Sequence, residues 1–193
     1  DEMVYNNLMK VFKYSGMKEK KHFFLDDKAT TGPYAYQELF ITLSGHYLDK
    51  MMEIKRADSS LSIAGNKEKV EEYKTKIANL LNKCDTEIPE SVYHTPSQTK
   101  YYMAMIWHEI GDNDKAGKNL GQVYATSESE VKYYLRFGSK KTRYMRGLAK
   151  DAFDFMDRSA SSAKEWGLSN MAAKFEKTNK ELSATVNNFV NSD

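Results

Sequence analysis

Cysteine, proline and long apolar runs are all scarce in this chain. Cys84 is the single cysteine among 193 residues, so no internal disulfide is possible, although a periplasmic domain need not carry one and the compartment stays open. Prolines number three, and two of them, Pro89 and Pro96, bracket one loop. No apolar run approaches the length that spans a bilayer. Neither charge sign dominates: the net charge is +2, with acids and bases interspersed as on a solvated helical surface. That balance argues against a dedicated polyanion binder and against a nucleic-acid partner. The opening DEMVYNNLMKVF begins with acids, unlike a signal peptide. There is no glycine-rich phosphate loop and no serine in a nucleophile-elbow context. The expectation is a soluble chain forming one domain or a tightly joined pair, long enough to bury a sizeable core and able to belong to a larger protein.

What is present is helical periodicity. The clearest stretch is Thr99–Thr126, where Met103, Ile106, Trp107 and Ile110 recur at helical spacing. Gly111 ends that helix, Asp112-Asn113-Asp114 makes a tight turn, and Ala116, Leu120, Val123 and Tyr124 form a second stripe. Two amphipathic helices joined by so short a turn make a hairpin. Upstream, a helix is expected over Glu2–Tyr14 with Val4, Leu8, Val11 and Phe12 on its apolar face. Phe23-Phe24-Leu25 then reads as an anchor for a long connection. Gly32-Pro33 opens a helix to about Ala57, since proline suits a first turn, with Tyr36, Leu39, Phe40, Leu43, Tyr47, Met51 and Ile54 in step. Another helix follows over Lys67–Asp85, facing inward with Val70, Tyr73, Ile77, Leu80, Leu81 and Cys84. Downstream, Ser127 with Glu130 fits a capping box starting a separate helix that stops near Gly138. A long helix over Lys140–Glu165 carries the small residues Ala149, Ala152 and Ala160, and Gly167 leads into a last helix to about Val190.

Met103, Ala104, Trp107, Gly111, Ala116, Leu120 and Val123 sit at tetratricopeptide offsets, although Lys100 and Glu128 replace the expected aromatic and proline. Ile77, Leu81, Cys84 and Pro89 fit a second partial unit. The expected fold is therefore all-α, a right-handed stack of tetratricopeptide-like hairpins with about seven helices. Within one domain, residues 1–33 form an N-terminal helix and anchoring loop, 34–137 degenerate hairpins, and 139–191 a closing hairpin.

Several stretches also resemble a known family. They are Tyr5-Asn6-Asn7, Phe12-Lys13-Tyr14, Phe24-Leu25-Asp26, Leu80-Leu81-Asn82-Lys83-Cys84 with Pro89, Tyr101–Ala116, Val131-Lys132-Tyr133-Tyr134-Leu135, Ala163-Lys164-Glu165-Trp166-Gly167 and Ala172–Leu182. Together they resemble the soluble C-terminal region of bacterial multi-spanning membrane proteins grouped with protein O-mannosyltransferase-like enzymes of the GT-C glycosyltransferase type. Residues 55–72 depart from that pattern as an insertion, and Ser139–Tyr144 lacks its proline-containing turn. The resemblance implies a non-catalytic helical appendage beside a membrane enzyme, on the periplasmic side of the inner membrane. It implies no catalytic residue in this chain, because that family's chemistry lies in the membrane-spanning part.

The chemical candidates are few. His108-Glu109 lacks the second histidine of a zinc-protease helix, because Asp112 stands in its place. Asp112-x-Asp114 lacks the further ligands of a calcium loop. His22, His46 and His94 are scattered. Cys84 reads as a buried inert thiol. These residues lead to no metal and no cofactor. Lys140-Lys141-x-Arg143-x-x-Arg146 with Tyr144 is the best basic patch, able to meet phosphates or lipid head groups but readable as a solvated helix start. In Tyr101-Tyr102 and Tyr133-Tyr134, one member of each pair is expected to escape the core. Gln98, Tyr101, Met105 and His108 share a face beside the Trp107 stripe and form the candidate surface for a protein or peptide partner, including the membrane-spanning part of the same polypeptide. The domain is expected to be monomeric. The competing reading is a free-standing periplasmic carbohydrate- or peptide-handling enzyme with a pocket assembled from distant residues.

Overall fold

The computed structural model describes residues 1–14, 27–90, 95–140 and 142–191, with the side chains of 27–32 and 139 outside that description. The expected Phe23-Phe24-Leu25 anchor falls outside the described residues, as do His22 and His94. The described residues form seven α-helices and no strand, so the chain is all-α: α1 (Glu2–Asn6), α2 (Asp27–Ala57), α3 (Asn66–Glu87), α4 (Ser97–Glu109), α5 (Asn113–Leu135), α6 (Arg143–Glu165) and α7 (Ser169–Asn191). They divide into two compact units, Asp1–Thr95 and Pro96–Asp193, and that boundary falls inside the stretch 34–137 expected to hold the hairpins.

In the first unit, α2 and α3 pack as a pair. Phe40, Leu43, Tyr47 and Met51 from α2 are buried, as are Val70, Ile77, Leu80, Leu81 and Cys84 from α3. Tyr73 stacks on Tyr47 at 5.6 Å between ring centroids. The start of α2 differs from the expectation. The helix begins at Asp27 and carries Pro33 inside it. The preceding DKATTG has no apolar stripe, so periodicity had nothing to detect there. The first helix is also shorter than expected. After α1 the chain enters a π-turn over Asn7–Val11, closed by Phe12 N–H donating to the Asn7 carbonyl at 2.9 Å. The wider turn slips the stripe out of register. Leu8 stays buried, whereas Val4, Val11 and Phe12 are exposed.

The α2–α3 loop is organised by the buried Asp58. Its carboxylate accepts from Ile63 N–H at 2.8 Å, Ser62 N–H at 3.0 Å and Asn66 Nδ2 at 3.1 Å. These bonds, the one from Ile63 first, outweigh the opposing effect of burial and hold the carboxyl down to about 2. A carboxyl whose folded pKa is depressed stabilises the fold above its unfolded value and loses that contribution as pH falls toward the folded value. Asp58→Asn is therefore expected to lower the melting temperature at neutral pH, with the gap from wild type closing between about pH 4 and pH 2. Thermal melts across that range check this; a gap independent of pH would sink the assignment.

The second unit is two hairpins, α4–α5 and α6–α7. Contacts run between neighbours along the chain and also between α4 and α6 and between α5 and α7, the pattern of one hairpin laid on the next. Both hairpins turn by the same device. Gly111 (φ 91°) donates to the His108 carbonyl while Asp112 N–H reaches back to Trp107. Gly167 (φ 72°) donates to Lys164 while Leu168 N–H reaches back to Ala163. This is the paired-bond helix ending that favours glycine in the left-handed region. Asp112 then caps α5, its Oδ1 accepting from Lys115 N–H at 3.0 Å.

The expected break before Ser127 does not occur. α5 runs unbroken through Ser127-Glu128-Ser129-Glu130, and Ser127 is fully buried on its inner face. Leu120, Val123, Tyr124, Ser127 and Val131 form one continuous inward stripe, and its packing overrides the local capping signal. The long α6 buries Ala149, Ala152, Ala160 and Ala163, small residues that let neighbouring helices approach closely.

Candidate functional site

Met103 and Trp107 turn α4 inward, and the four expected docking residues then separate into two sets. Tyr101 is half-buried against α6: its hydroxyl and that of Ser162 are hydrogen-bonded at 2.7 Å, and its ring meets Phe155 edge-on at 6.4 Å. His108 stacks on Trp166 at 4.6 Å and 15° between planes, with Nδ1 and Asn113 Oδ1 3.0 Å apart. Gln98 is exposed, and Met105 is 39% exposed. Tyr102 joins them at 41%. The open stripe of α4 is thus Gln98, Tyr102 and Met105, at steps of four and three residues. Tyr101 and His108 form its wall toward α6. Ser162, Phe155 and Trp166 lie more than fifty residues away in sequence, and no local pattern announces them.

The tyrosine pairs divide as expected for neighbours that point to different faces of a helix. Tyr102 and Tyr133 are exposed, while Tyr101 and Tyr134 are half-buried. Tyr133 sits edge-on to both Tyr134 and Phe137, at 5.3 and 5.4 Å. Burial pushes the Tyr134 hydroxyl up, helped by Glu130 and then by Tyr144. Beside this cluster lies a shallow groove along α5, lined by Ala125, Thr126, Ser129, Glu130 and Tyr133.

The other reactive groups are engaged structurally. Cys84 is buried, which pushes its thiol up to about 12, with Asp85 adding to the effect; it is a poor nucleophile. Burial works against the charge of Lys76, but hydrogen bonds to Glu2 and Glu72 outweigh it and hold the ammonium above the usual lysine range. That ammonium also lies 5.3 Å from the Tyr47 ring centroid and 5.9 Å from that of Tyr5, so this aromatic box is filled by the chain's own cation. His46 Nε2 lies 2.9 Å from Asp1 Oδ2. Among the described residues, no three His, Cys, Asp or Glu side chains gather as a metal site requires, and no helix is long and apolar enough to cross a membrane.

Fold and site together define an all-α protein with stacked hairpins in its second unit and one partly walled helix face. Comparison with family models, with curated proteins and with solved structures found no match for the chain.

Proposed function

We propose that this chain is a non-catalytic interaction domain whose tetratricopeptide-like second unit docks a peptide or partner helix on α4. The observation that carries the reading is the preset wall. Tyr101 and His108 are fixed by α6, and the adaptable Met105 stands open beside them with Tyr102 and Gln98. Rings already immobilised lose little entropy on binding, and an exposed methionine accommodates varied apolar partners. The resemblance of the stretches named above to the membrane-protein family supports a further proposal: this is the soluble region of a protein O-mannosyltransferase-like membrane protein, on the periplasmic side of the inner membrane. Its partner would then include the membrane-spanning part of the same polypeptide.

Because Tyr101 and His108 support α6, the test variant is Tyr102→Ala with Met105→Lys. It is expected to keep its helical circular dichroism and to lose recovery of the solubilised parent protein in a pull-down. A folded variant that recovers the parent as well as wild type rules the surface out. A natural gene with no hydrophobic spans upstream of Asp1 overturns the proposed parentage.

A further inference from the structure

Charge is segregated in a way that the whole-chain balance conceals. Val131–Lys150 holds seven Lys and Arg residues and no Asp or Glu, in a chain whose net charge is only +2. The rest of the chain is therefore net negative. The described residues of this segment form the last turns of α5, a short 3-10 turn over Gly138–Lys140, and the start of α6. Lys132 is paired with Glu128 and Lys150 with Asp154. Arg136, Lys140 and Arg143, all exposed, flank the turn itself. Large rings stand open among them: Tyr144 is 75% exposed and Tyr133 53%.

Helix stability does not explain this arrangement. The first turn of α6 carries no acid, although its helix dipole favours negative charge there and disfavours cations such as Arg143. Nor does packing need Tyr144, which leaves most of its surface in water.

We propose that the α5–α6 end of the second unit is a docking surface for anionic phospholipid. Arg136, Lys140 and Arg143 meet the phosphates, while Tyr133 and Tyr144 enter the interfacial layer. Tyrosine is suited to that layer because its ring is apolar and its hydroxyl stays wet. Basic residues near an anionic leaflet each add attraction that falls off within a Debye length. A nucleic-acid strand fits less well. Among the described residues, the adjoining groove is lined by Glu130 and by no cation, so it offers no charged track for a phosphodiester chain. Tyr133 also turns its ring edge-on to Tyr134 and Phe137, not as parallel platforms for bases. This inference does not rest on the α4 docking face, and either can fail alone.

The test is flotation of the full chain with two kinds of vesicle, phosphatidylcholine alone and phosphatidylcholine mixed equally with phosphatidylglycerol. Binding is expected only to the second, with release as salt rises from about 0.1 to 0.5 M. Arg136→Glu with Arg143→Glu should weaken binding more than about tenfold. Lys174→Glu with Lys177→Glu, an equal charge change on the exposed surface of α7, should leave it near wild type. Tyr133→Ala with Tyr144→Ala should weaken binding while preserving its salt dependence. No binding to anionic vesicles, or equal loss in both charge-reversed variants, overturns the proposal. Tighter binding to an oligonucleotide or to polyglutamate than to the vesicles overturns it as well, reassigning the surface to that polyanion.

Discussion

Trp107→Ala is expected to destabilise the second unit by ~3–5 kcal/mol, the range for truncating a large buried aromatic. The indole is 1% exposed, in the middle of the α4 stripe. The Lys115 ammonium lies 4.2 Å from its ring centroid, so truncation also removes a cation–π contact. One further detail makes the prediction sharper. The indole N–H is buried and finds no acceptor among the described residues, although a buried tryptophan N–H usually has one. Trp107→Phe removes that unpaired donor while keeping a buried ring, so it should cost well under half as much as the alanine change. Chemical denaturation of both variants provides the measurement. An alanine variant as stable as wild type would show that Trp107 is not core. A phenylalanine variant as damaged as the alanine one would show that this core requires the full volume of the indole and not merely a buried ring.

Phe175→Ala is expected to cost ~3–5 kcal/mol as well, and Tyr124→Phe ~1–3 kcal/mol. The two rings stack at 3.7 Å with 2° between their planes, and both are buried. The Tyr124 hydroxyl donates toward Asn179 Oδ1 at 2.7 Å, with the Phe175 carbonyl also within reach at 3.1 Å. Asn179 Nδ2 in turn donates to Asp157 Oδ1 at 2.7 Å. Burial pushes the Tyr124 hydroxyl up to about 12, so it remains a donor over any ordinary pH range. Tyr124→Phe keeps the stacked ring and leaves the Asn179 oxygen without that donor in a buried site. The two substitutions thus separate stacking from hydrogen bonding, and their relative effects in a denaturant series test the division. If Tyr124→Phe costs as much as Phe175→Ala, the polar chain and not the ring stack dominates this core.

The turns of the second unit were legible because their chemistry is local. A glycine after the last apolar position and an aspartate after that are enough to identify the α4–α5 ending. Stripes such as Val70, Ile77, Leu80, Leu81 and Cys84 were legible for the same reason. Ser127 is ambiguous in sequence because a capping box and a core-facing serine share one residue pattern, and only the continuing stripe through Val131 decides between them. The π-turn at Asn7–Val11 left no mark in the sequence, since one extra residue in a turn shifts a stripe without altering its composition. The α4 face was half legible. Helical spacing grouped Gln98, Tyr101, Met105 and His108, but Phe155, Ser162 and Trp166 choose which of them stay open, and those partners are far along the chain. The basic cluster was blurred because Arg136 sits at the end of one helix and Arg143 at the start of another, while the overall charge averages it away.

The division into two units has a consequence for how unfolding can be watched. The chain contains two tryptophans, Trp107 and Trp166, and both lie in Pro96–Asp193. Indole emission therefore follows the second unit alone, whereas far-ultraviolet dichroism sums the helices of both. Superimposed melting curves from the two signals mean that all the helices share a single cooperative transition; curves that part mean that each unit melts on its own. The placement of two side chains thus makes cooperativity readable without any label.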